Sequence, residues 1–126
     1  MEKSFSERVA EATAAVSAVS PQQASAIFEK DPTTLFIDPR DADDIKSTTG
    51  IIPGAINVPL NELSDKPENE LPEELMSRSR RIIAACQGGP MGALAAYALK
   101  QRGYNNVVFI DGGTQGWLDA GYATAR

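Results

Sequence analysis

The chain's single cysteine, Cys86, stands where an apolar run ends and the glycine-rich segment CQGGPMG begins. Glycines let the backbone curl and point successive N–H groups inward, and a helix predicted from near Met91 adds unpaired N–H groups and the positive end of its dipole. Such a turn can hold an anion and favour a thiolate. A small buried cysteine with no chemical role is the alternative. The residues alone leave both interpretations open.

The composition narrows the chemistry that this cysteine could perform. Histidine is absent, which excludes Cys–His and Ser–His nucleophilic pairs and zinc sites that need imidazole. A single cysteine cannot form an intramolecular disulfide or a multi-cysteine metal cluster. We therefore expect no metal and no cofactor. A nucleophilic cysteine here would have to be activated by the backbone.

Length and charge limit the class of protein. The 126 residues fit one domain, and the net charge of −5 with no dominant basic stripe argues against nucleic acid or an anionic membrane as a partner. The N-terminus carries Glu2, Glu7 and Glu11 and lacks the apolar core of a signal peptide. No apolar run approaches the roughly 18 residues of a membrane helix. We expect a cytoplasmic protein.

The first segment predicts an amphipathic helix over about residues 4–19. Its apolar stripe consists of Phe5, Val9, Ala12, Val16 and Val19, in steps of three and four. Such a stripe packs on its own domain, the more common arrangement, or on a second copy, which would give a homodimer through this helix. We divide the chain into a helical extension, residues 1–19, and a domain, residues 20–126.

The rest of the chain alternates strands with helices. Apolar runs predict strands in TLFIDP, RRIIAAC and NNVVFIDGG, with a short one in IIPGAINVPL. Helices are predicted in PQQASAIFEK, in MGALAAYALKQRG, closed by Gly103, and in TQGWLDAGY. This alternation predicts an α/β fold with a parallel sheet and helices on both faces. Ligands bind such sheets where strands end, and Cys86 lies at that position.

Other glycine-loop chemistries fit the segment poorly. It lacks the lysine and Ser/Thr of a phosphate-binding P-loop and the full G-x-G-x-x-G spacing of a dinucleotide site. Cysteine-dependent phosphatases and arsenate reductases need an arginine to grip the oxyanion, and Met91 and Gly92 occupy that region. We therefore expect no phosphatase activity.

Two separated segments resemble the rhodanese (sulfurtransferase) family, over about residues 20–123. The C-terminal half matches its active-site half at Cys86, Gly89, Ala95, Ala96, Leu99, Gly103, Asn106, Val107, Gly112, Gly113 and Trp117. The stretch DPRDADDIKSTTGIIPGAINVPL is similar to the family's Asp-Val-Arg, an acid, then Gly-His-Ile-Pro-Gly-Ala-x-Asn-Ile-Pro, at Asp38, Arg40, Asp44, Gly50, Pro53, Gly54, Ala55, Asn57 and Pro59.

The resemblance implies a rhodanese-like three-layer domain, with about five parallel strands between helices. Cys86 would be the catalytic cysteine, taking sulfane sulfur from thiosulfate or a persulfide as a cysteine persulfide and passing it to a thiol or protein acceptor. The substrate-binding main-chain N–H groups would come from Gln87, Gly88, Gly89, Met91 and Gly92. Such groups form a preorganised anion hole.

The resemblance also assigns supporting roles. Asp38 would mark a strand end, Arg40 would brace the structure by an ion pair with Asp44, and Trp117 would anchor the core. These residues are expected to support the site rather than to take part in the chemistry.

The sequence departs from the family pattern in the loop. Many active members carry a basic residue where Met91 stands and Ser or Thr where Gly92 stands. Met91 cannot attract anionic thiosulfate; it either suits a less charged donor, such as a persulfide, or is a neutral change. The alternative function is a weakly active or non-catalytic module that carries sulfur or binds a protein.

Overall fold

A computed structural model describes residues 3–125. Its five strands are β1 (Ser17–Val19), β2 (Leu35–Asp38), β3 (Ile56–Asn57), β4 (Ile82–Ala84) and β5 (Val107–Ile110). Its six α-helices are α1 (Phe5–Ala15), α2 (Pro21–Lys30), α3 (Ala42–Ser47), α4 (Leu60–Asp65), α5 (Pro90–Gln101) and α6 (Gly113–Asp119). Two short 3-10 helices, Glu68–Glu70 and Glu73–Leu75, occupy the polar connector before β4. Within residues 3–125, no helix combines the length and hydropathy needed to cross a lipid bilayer.

The five strands form one parallel sheet, as predicted, and their order is β1-β5-β4-β2-β3. The central strand β4 pairs Ala84 with Ile37 of β2 on one side and with Phe109 of β5 on the other. Apolar clusters cover both faces of the sheet. One cluster includes residues of α1 and α5, and the other includes residues of α2 and α6. The predicted α/β class with helices on both faces is confirmed.

The predicted bounds of α2 and α5 are close to those observed. Ser20 caps α2 and accepts a hydrogen bond from the main-chain N–H of Gln23 at 3.0 Å, while Pro21 takes the first helical position. Gly103 follows α5 with a φ of +97°, a conformation that favours glycine at the end of a helix.

The prediction of a helix as far as residue 19 was wrong. α1 ends at Ala15, Val16 is extended with a φ of −125°, and Ser17–Val19 form the edge strand β1. Apolar residues at positions 16 and 19 fit a helical stripe, but pairing with β5 satisfies the main-chain groups of this segment and of β5 together. The division between an extension and a domain at residue 20 stays a prediction.

The apolar stripe of α1 packs mainly on its own domain. Ala12 and Val16 are buried there, whereas Phe5 is 57% exposed. The homodimer through this helix therefore stays a prediction, with Phe5 as the exposed end of the stripe.

Polar contacts fix α1 along α5. The hydroxyl of Tyr97 donates to the carboxylate of Glu11 at 3.0 Å, and the ammonium of Lys100 donates to the carbonyl of Ala15 at 2.6 Å. Since later residues of α1 contact later residues of α5, the two helices run in the same direction. The N-terminal end of α1 consequently lies toward the end of α5 where the cysteine loop meets the helix.

Candidate functional site

Cys86 lies just beyond the carboxyl end of the central strand β4, where the sequence predicted a ligand site. Its side chain is free of any disulfide, and the residue is only 3% exposed. The segment that follows turns back over the sulfur before α5 begins at Pro90. The thiol is therefore held between the end of a buried strand and the start of a 12-residue helix.

One main-chain donor meets the sulfur directly. The main-chain N–H of Gly89 donates a hydrogen bond to Sγ of Cys86, with 3.0 Å between the nitrogen and the sulfur. Within residues 3–125 it is the one group that forms a hydrogen bond with this sulfur. Gly89 has a φ of +123°, a region that residues with a Cβ rarely adopt. Backbone geometry available to glycine thus supplies the contact.

The other predicted donors make no hydrogen bond to the sulfur in the described part of the chain, residues 3–125. Gln87 and Gly88 are exposed, Met91 is half-buried and Gly92 is buried. Their role in holding a persulfide stays a prediction.

Gly92 has a packing role that the sequence analysis did not foresee. A Cβ at this position would lie 3.3 Å from the carbonyl oxygen of Ala84 and 3.5 Å from the nitrogen of Cys86. The missing side chain lets the first turn of α5 approach the end of β4. A hydroxyl-bearing residue would press on this strand end.

The start of α6 holds the other side of the loop. The main-chain N–H of Thr114 donates to the carbonyl of Cys86 at 2.7 Å, and that of Gln115 donates to the carbonyl of Gln87 at 3.0 Å. A Cβ on Gly113 would lie 2.6 Å from the carbonyl oxygen of Cys86. We call these two hydrogen bonds from the start of α6 the clamp. The sequence analysis did not predict it, although two glycines after a buried strand indicate that the chain passes close to another segment.

The expected ion pair between Arg40 and Asp44 was wrong, because the partner of Arg40 is Asp38. Nε of Arg40 donates to one carboxylate oxygen of Asp38 at 3.0 Å, and a terminal nitrogen donates to the other at 2.7 Å. Asp44 lies exposed on α3, where its main-chain carbonyl accepts hydrogen bonds from Ser47 and Thr48. The two-residue spacing lets the guanidinium fold back onto the strand end.

The Asp38–Arg40 pair organises the turn after β2. Arg40 also donates to the hydroxyl of Thr49 at 2.9 Å and to the carbonyl of Gly50 at 3.1 Å. The amide of Asn57 donates to the carbonyls of Asp38 and Arg40 at 3.0 and 2.6 Å. This network fixes the strand end beside β4.

Trp117 anchors the core, as expected. Its ring packs against Phe36 and Tyr122, and its Nε1 donates to the carbonyl of Ala123 at 2.9 Å.

Two depressions flank the cysteine loop, and α1 lines both. An open cavity of about 410 Å³ lies between Arg8 of α1 and Met91 in the first turn of α5. A groove of about 440 Å³ lies between Val9 of α1 and two residues where the loop meets α5, Gly88 and Pro90. Neither was predicted, since α1 lies outside the two motifs that pointed to the site.

The part of the chain between residues 3 and 125 contains no group of three Cys, Asp or Glu side chains placed to hold a metal ion. The fold and the loop define a parallel α/β domain that presents one thiol between its central strand and a helix. Residues 20–120 match the rhodanese-like domain, and the chain belongs to that family.

Relatives and solved structures agree with this assignment. A rhodanese domain-containing protein of Drosophila melanogaster is 32% identical over 94 residues, which span 68% of this chain and 83% of that protein. An adenylyltransferase and sulfurtransferase of Ogataea parapolymorpha is 36% identical over 66 residues, which span 52% of this chain and 16% of that protein.

Two structural neighbours extend the match through most of the chain. A Rhodopseudomonas palustris protein of unknown function, described as a possible tyrosine phosphatase, has a TM-score of 0.86 at 23% identity, covering 99% of this chain and 96% of that one. A polysulfide-sulfur transferase homodimer from Wolinella succinogenes has a TM-score of 0.76 at 23% identity, covering 96% of this chain and 86% of that one. The N-terminal helix is thus part of a recurring fold.

Proposed function

We propose that this protein is a sulfurtransferase that carries sulfane sulfur as a persulfide on Cys86. The thiolate of Cys86 attacks the outer sulfur of a donor, and the bond between that sulfur and the rest of the donor breaks. The donor remainder leaves with the electron pair. A thiol or protein acceptor then takes the outer sulfur from Cys86 and regenerates the thiolate.

The contact between Gly89 and Cys86 is the observation that carries this proposal. The main-chain N–H that donates to this sulfur, together with the positive end of the α5 dipole, is placed to stabilise negative charge that develops during sulfur transfer. This activation needs no histidine, which suits a chain that has none. A curved loop of N–H groups can then stabilise the terminal sulfur of the persulfide.

The names of similar proteins support sulfur as the transferred group. The Ogataea parapolymorpha relative is named as a sulfurtransferase. The match spans 16% of that relative. We therefore infer only a sulfur-transfer step for this chain, and not the adenylyltransferase activity.

The half-buried Met91 favours a persulfide over thiosulfate as the donor. Thiosulfate carries two negative charges, and no residue from Gln87 to Gly92 is cationic. A persulfide carries its transferable sulfur with less charge. An apolar residue at the entrance to the loop therefore disfavours the binding of a persulfide less than the binding of thiosulfate.

Intact-mass analysis after incubation with a panel of donors tests the proposal. We expect Cys86 to gain the mass of one sulfur atom with at least one persulfide donor, and the adduct to disappear when a thiol acceptor is added. Cys86→Ser is the control that should gain nothing. Failure of thiosulfate and every persulfide to produce the adduct would remove the enzymatic assignment.

A second candidate is a module that carries sulfur slowly or binds a protein without catalysis. The 3% exposure of Cys86 and the absence of a cation from the loop favour it. Under this alternative the adduct forms, but acceptor addition gives no multiple turnovers.

A phosphatase function is the third candidate, raised by the description of the Rhodopseudomonas palustris neighbour. The segment Gln87–Gly92 holds no arginine to bind a phosphoryl group. We expect no release of phosphate from aryl phosphate esters.

A further inference from the structure

The N-terminal helix contributes Arg8 to the wall of an open cavity beside the cysteine loop. Its volume is about 410 Å³, within the range of small-molecule pockets. The wall combines parts of α1, α4, the turn after β2 and the first turn of α5. The residues that matter here are Arg8, Asp41, Leu60, Ser64, Asp65 and Met91.

The charges on this wall are of both signs and are not paired with one another. Arg8, Asp41 and Asp65 are exposed, and within residues 3–125 none of them takes part in a salt bridge. Other charged groups close by are paired: Lys3 binds Glu11 and Lys66 binds Glu62. The cavity thus offers one guanidinium and two carboxylates to a ligand.

Charges of both signs on one wall suit a zwitterion better than an anion. An inorganic dianion would be attracted by one charge and repelled by two. A ligand with a carboxylate and an ammonium can place the carboxylate toward Arg8 and the ammonium toward Asp41 and Asp65. Charge complementarity of this kind determines the orientation of a bound ligand as well as which ligands bind.

Met91 belongs both to the cavity wall and to the segment that follows the cysteine loop. It lines the cavity and lies two residues beyond Gly89, whose N–H contacts the sulfur of Cys86. A ligand whose charged groups lie between α1 and α4 can therefore extend its sulfur end past Met91 toward the loop.

We infer that this cavity binds the organic part of a small zwitterionic persulfide of the amino-acid type, which serves as the sulfur donor. The inference rests on the proposed sulfur transfer. The thiolate of Cys86 forms a bond to the terminal sulfur of RS–SH, and the RS–SH bond breaks. The products are the Cys86 persulfide and the thiolate RS⁻, so the sulfur and its proton are transferred without another reactant.

Three related donors test the carboxylate contact and the ammonium contact independently. Cysteine persulfide has both charges, N-acetylcysteine persulfide lacks the ammonium, and cysteamine persulfide lacks the carboxylate. The measurement is the rate at which Cys86 gains one sulfur atom, followed by intact mass at subsaturating donor. We expect cysteine persulfide to load the wild-type protein fastest.

The variants should respond to the donor's charges. Arg8→Met should slow loading from cysteine persulfide and N-acetylcysteine persulfide by about three- to tenfold relative to cysteamine persulfide, as expected for one charged contact at an exposed site. Asp41→Asn should slow loading from the two ammonium donors relative to N-acetylcysteine persulfide. Asp41 makes no side-chain capping bond in α3, so its neutralisation removes no such contact.

Lys30→Met is the matched control for Arg8→Met. It removes one positive charge from the last turn of α2, which packs on the face of the sheet opposite to α1 and α5. Its donor ratios should equal those of the wild type.

The outcomes separate this inference from the proposed function. If the wild-type protein loads sulfur but Arg8→Met and Asp41→Asn change all three rates equally or not at all, the zwitterion site is overturned and sulfur transfer stands. If no donor loads Cys86, the sulfur-transfer proposal fails, and the donor site fails with it.

Discussion

The main-chain N–H of Gly89 donates a hydrogen bond to the sulfur of Cys86, with 3.0 Å between the nitrogen and Sγ. The donor belongs to the backbone, so among substitutions only proline removes it directly. Its position depends on the φ of +123° at Gly89 and on the glycine-containing clamp at the start of α6. The hydrogen bond to the thiol sulfur therefore depends on backbone conformation.

Gly89→Ala should reduce the rate of sulfur loading on Cys86 by about tenfold or more, the loss expected when one hydrogen bond to a charged group is weakened. An alanine Cβ is strained at this φ, and relief of the strain moves the N–H away from the sulfur. Intact-mass kinetics give the loading rate, and urea unfolding gives the free energy of unfolding.

Gly54→Ala controls for backbone strain alone. Gly54 has a φ of +85°, and a Cβ there would meet no atom within 4 Å. Its loading rate should stay at the wild-type value. Equal rate losses in both variants would show that strain, rather than the contact with sulfur, determines the effect.

Met91→Arg should raise kcat/KM for thiosulfate by about tenfold, since it adds a cation where an anionic donor approaches. The gain should shrink as salt concentration rises. Met76→Arg adds the same charge at a methionine that is 57% exposed and absent from the cavity and groove beside the loop, and should leave kcat/KM unchanged. Unchanged activity in Met91→Arg would mean that donor attraction does not limit thiosulfate use.

Arg40→Met should lower the free energy of unfolding by about 3–5 kcal/mol, because it leaves the carboxylate of Asp38 buried without its partner. The side chains of Asp38 and Arg40 are only 2% and 4% exposed. Urea unfolding measures the loss. Lys66→Met, which breaks an exposed ion pair with Glu62, should cost less than about 1 kcal/mol.

The double variant Asp38→Asn with Arg40→Met should recover part of the loss, since the unpaired buried charge is gone. If the double variant were no more stable than Arg40→Met, the cost would come from lost packing and hydrogen bonds rather than from the charge.

Tyr104→Phe should flatten the alkaline dependence of stability. Burial of its hydroxyl, opposed by the cation of Arg78, raises the pKa of Tyr104 above its usual 10.0. The folded protein therefore holds this proton more tightly than the unfolded chain. The stability from this group is fully present below the unfolded-state pKa and is lost as pH rises through the folded-state pKa.

The measurement is the slope of unfolding free energy against pH above about 10, where one group contributes at most about 1.4 kcal/mol per pH unit. Tyr104→Phe also removes the hydrogen bond to the carbonyl of Leu75, which shifts the level of stability but not this slope. Tyr122→Phe is the size-matched control. A wild-type slope retained in Tyr104→Phe would contradict the prediction.

Local signals predicted much of the fold. Ser20 with Pro21 marked the start of α2, and Gly103 marked the end of α5, because caps depend on a few neighbouring residues. The runs of apolar residues marked β2, β4 and β5. By contrast, Ser17–Val19 is short, and its strand conformation depends on pairing with β5, about 90 residues further along.

The site was predictable to the extent that it lies in one segment. Cys86 and its glycine loop could be located from the strand–turn–helix pattern. The sequence analysis paired Arg40 with Asp44, whereas the structure pairs it with Asp38. Which carboxylate the guanidinium reaches depends on side-chain direction, and residue spacing does not specify that direction. The clamp at Thr114 and the approach of Arg8 to Met91 depend on tertiary contacts between distant segments.

Cys86 is the chain's only cysteine, and this has a kinetic consequence for sulfur transfer. No second thiol in the chain can attack a sulfur loaded on it and close an internal disulfide. In the proposed sulfur transfer, a loaded molecule would therefore wait for an acceptor to arrive from solution. The lifetime of its persulfide would be set by acceptor concentration, and the protein would act as a reservoir whenever donor exceeds acceptor.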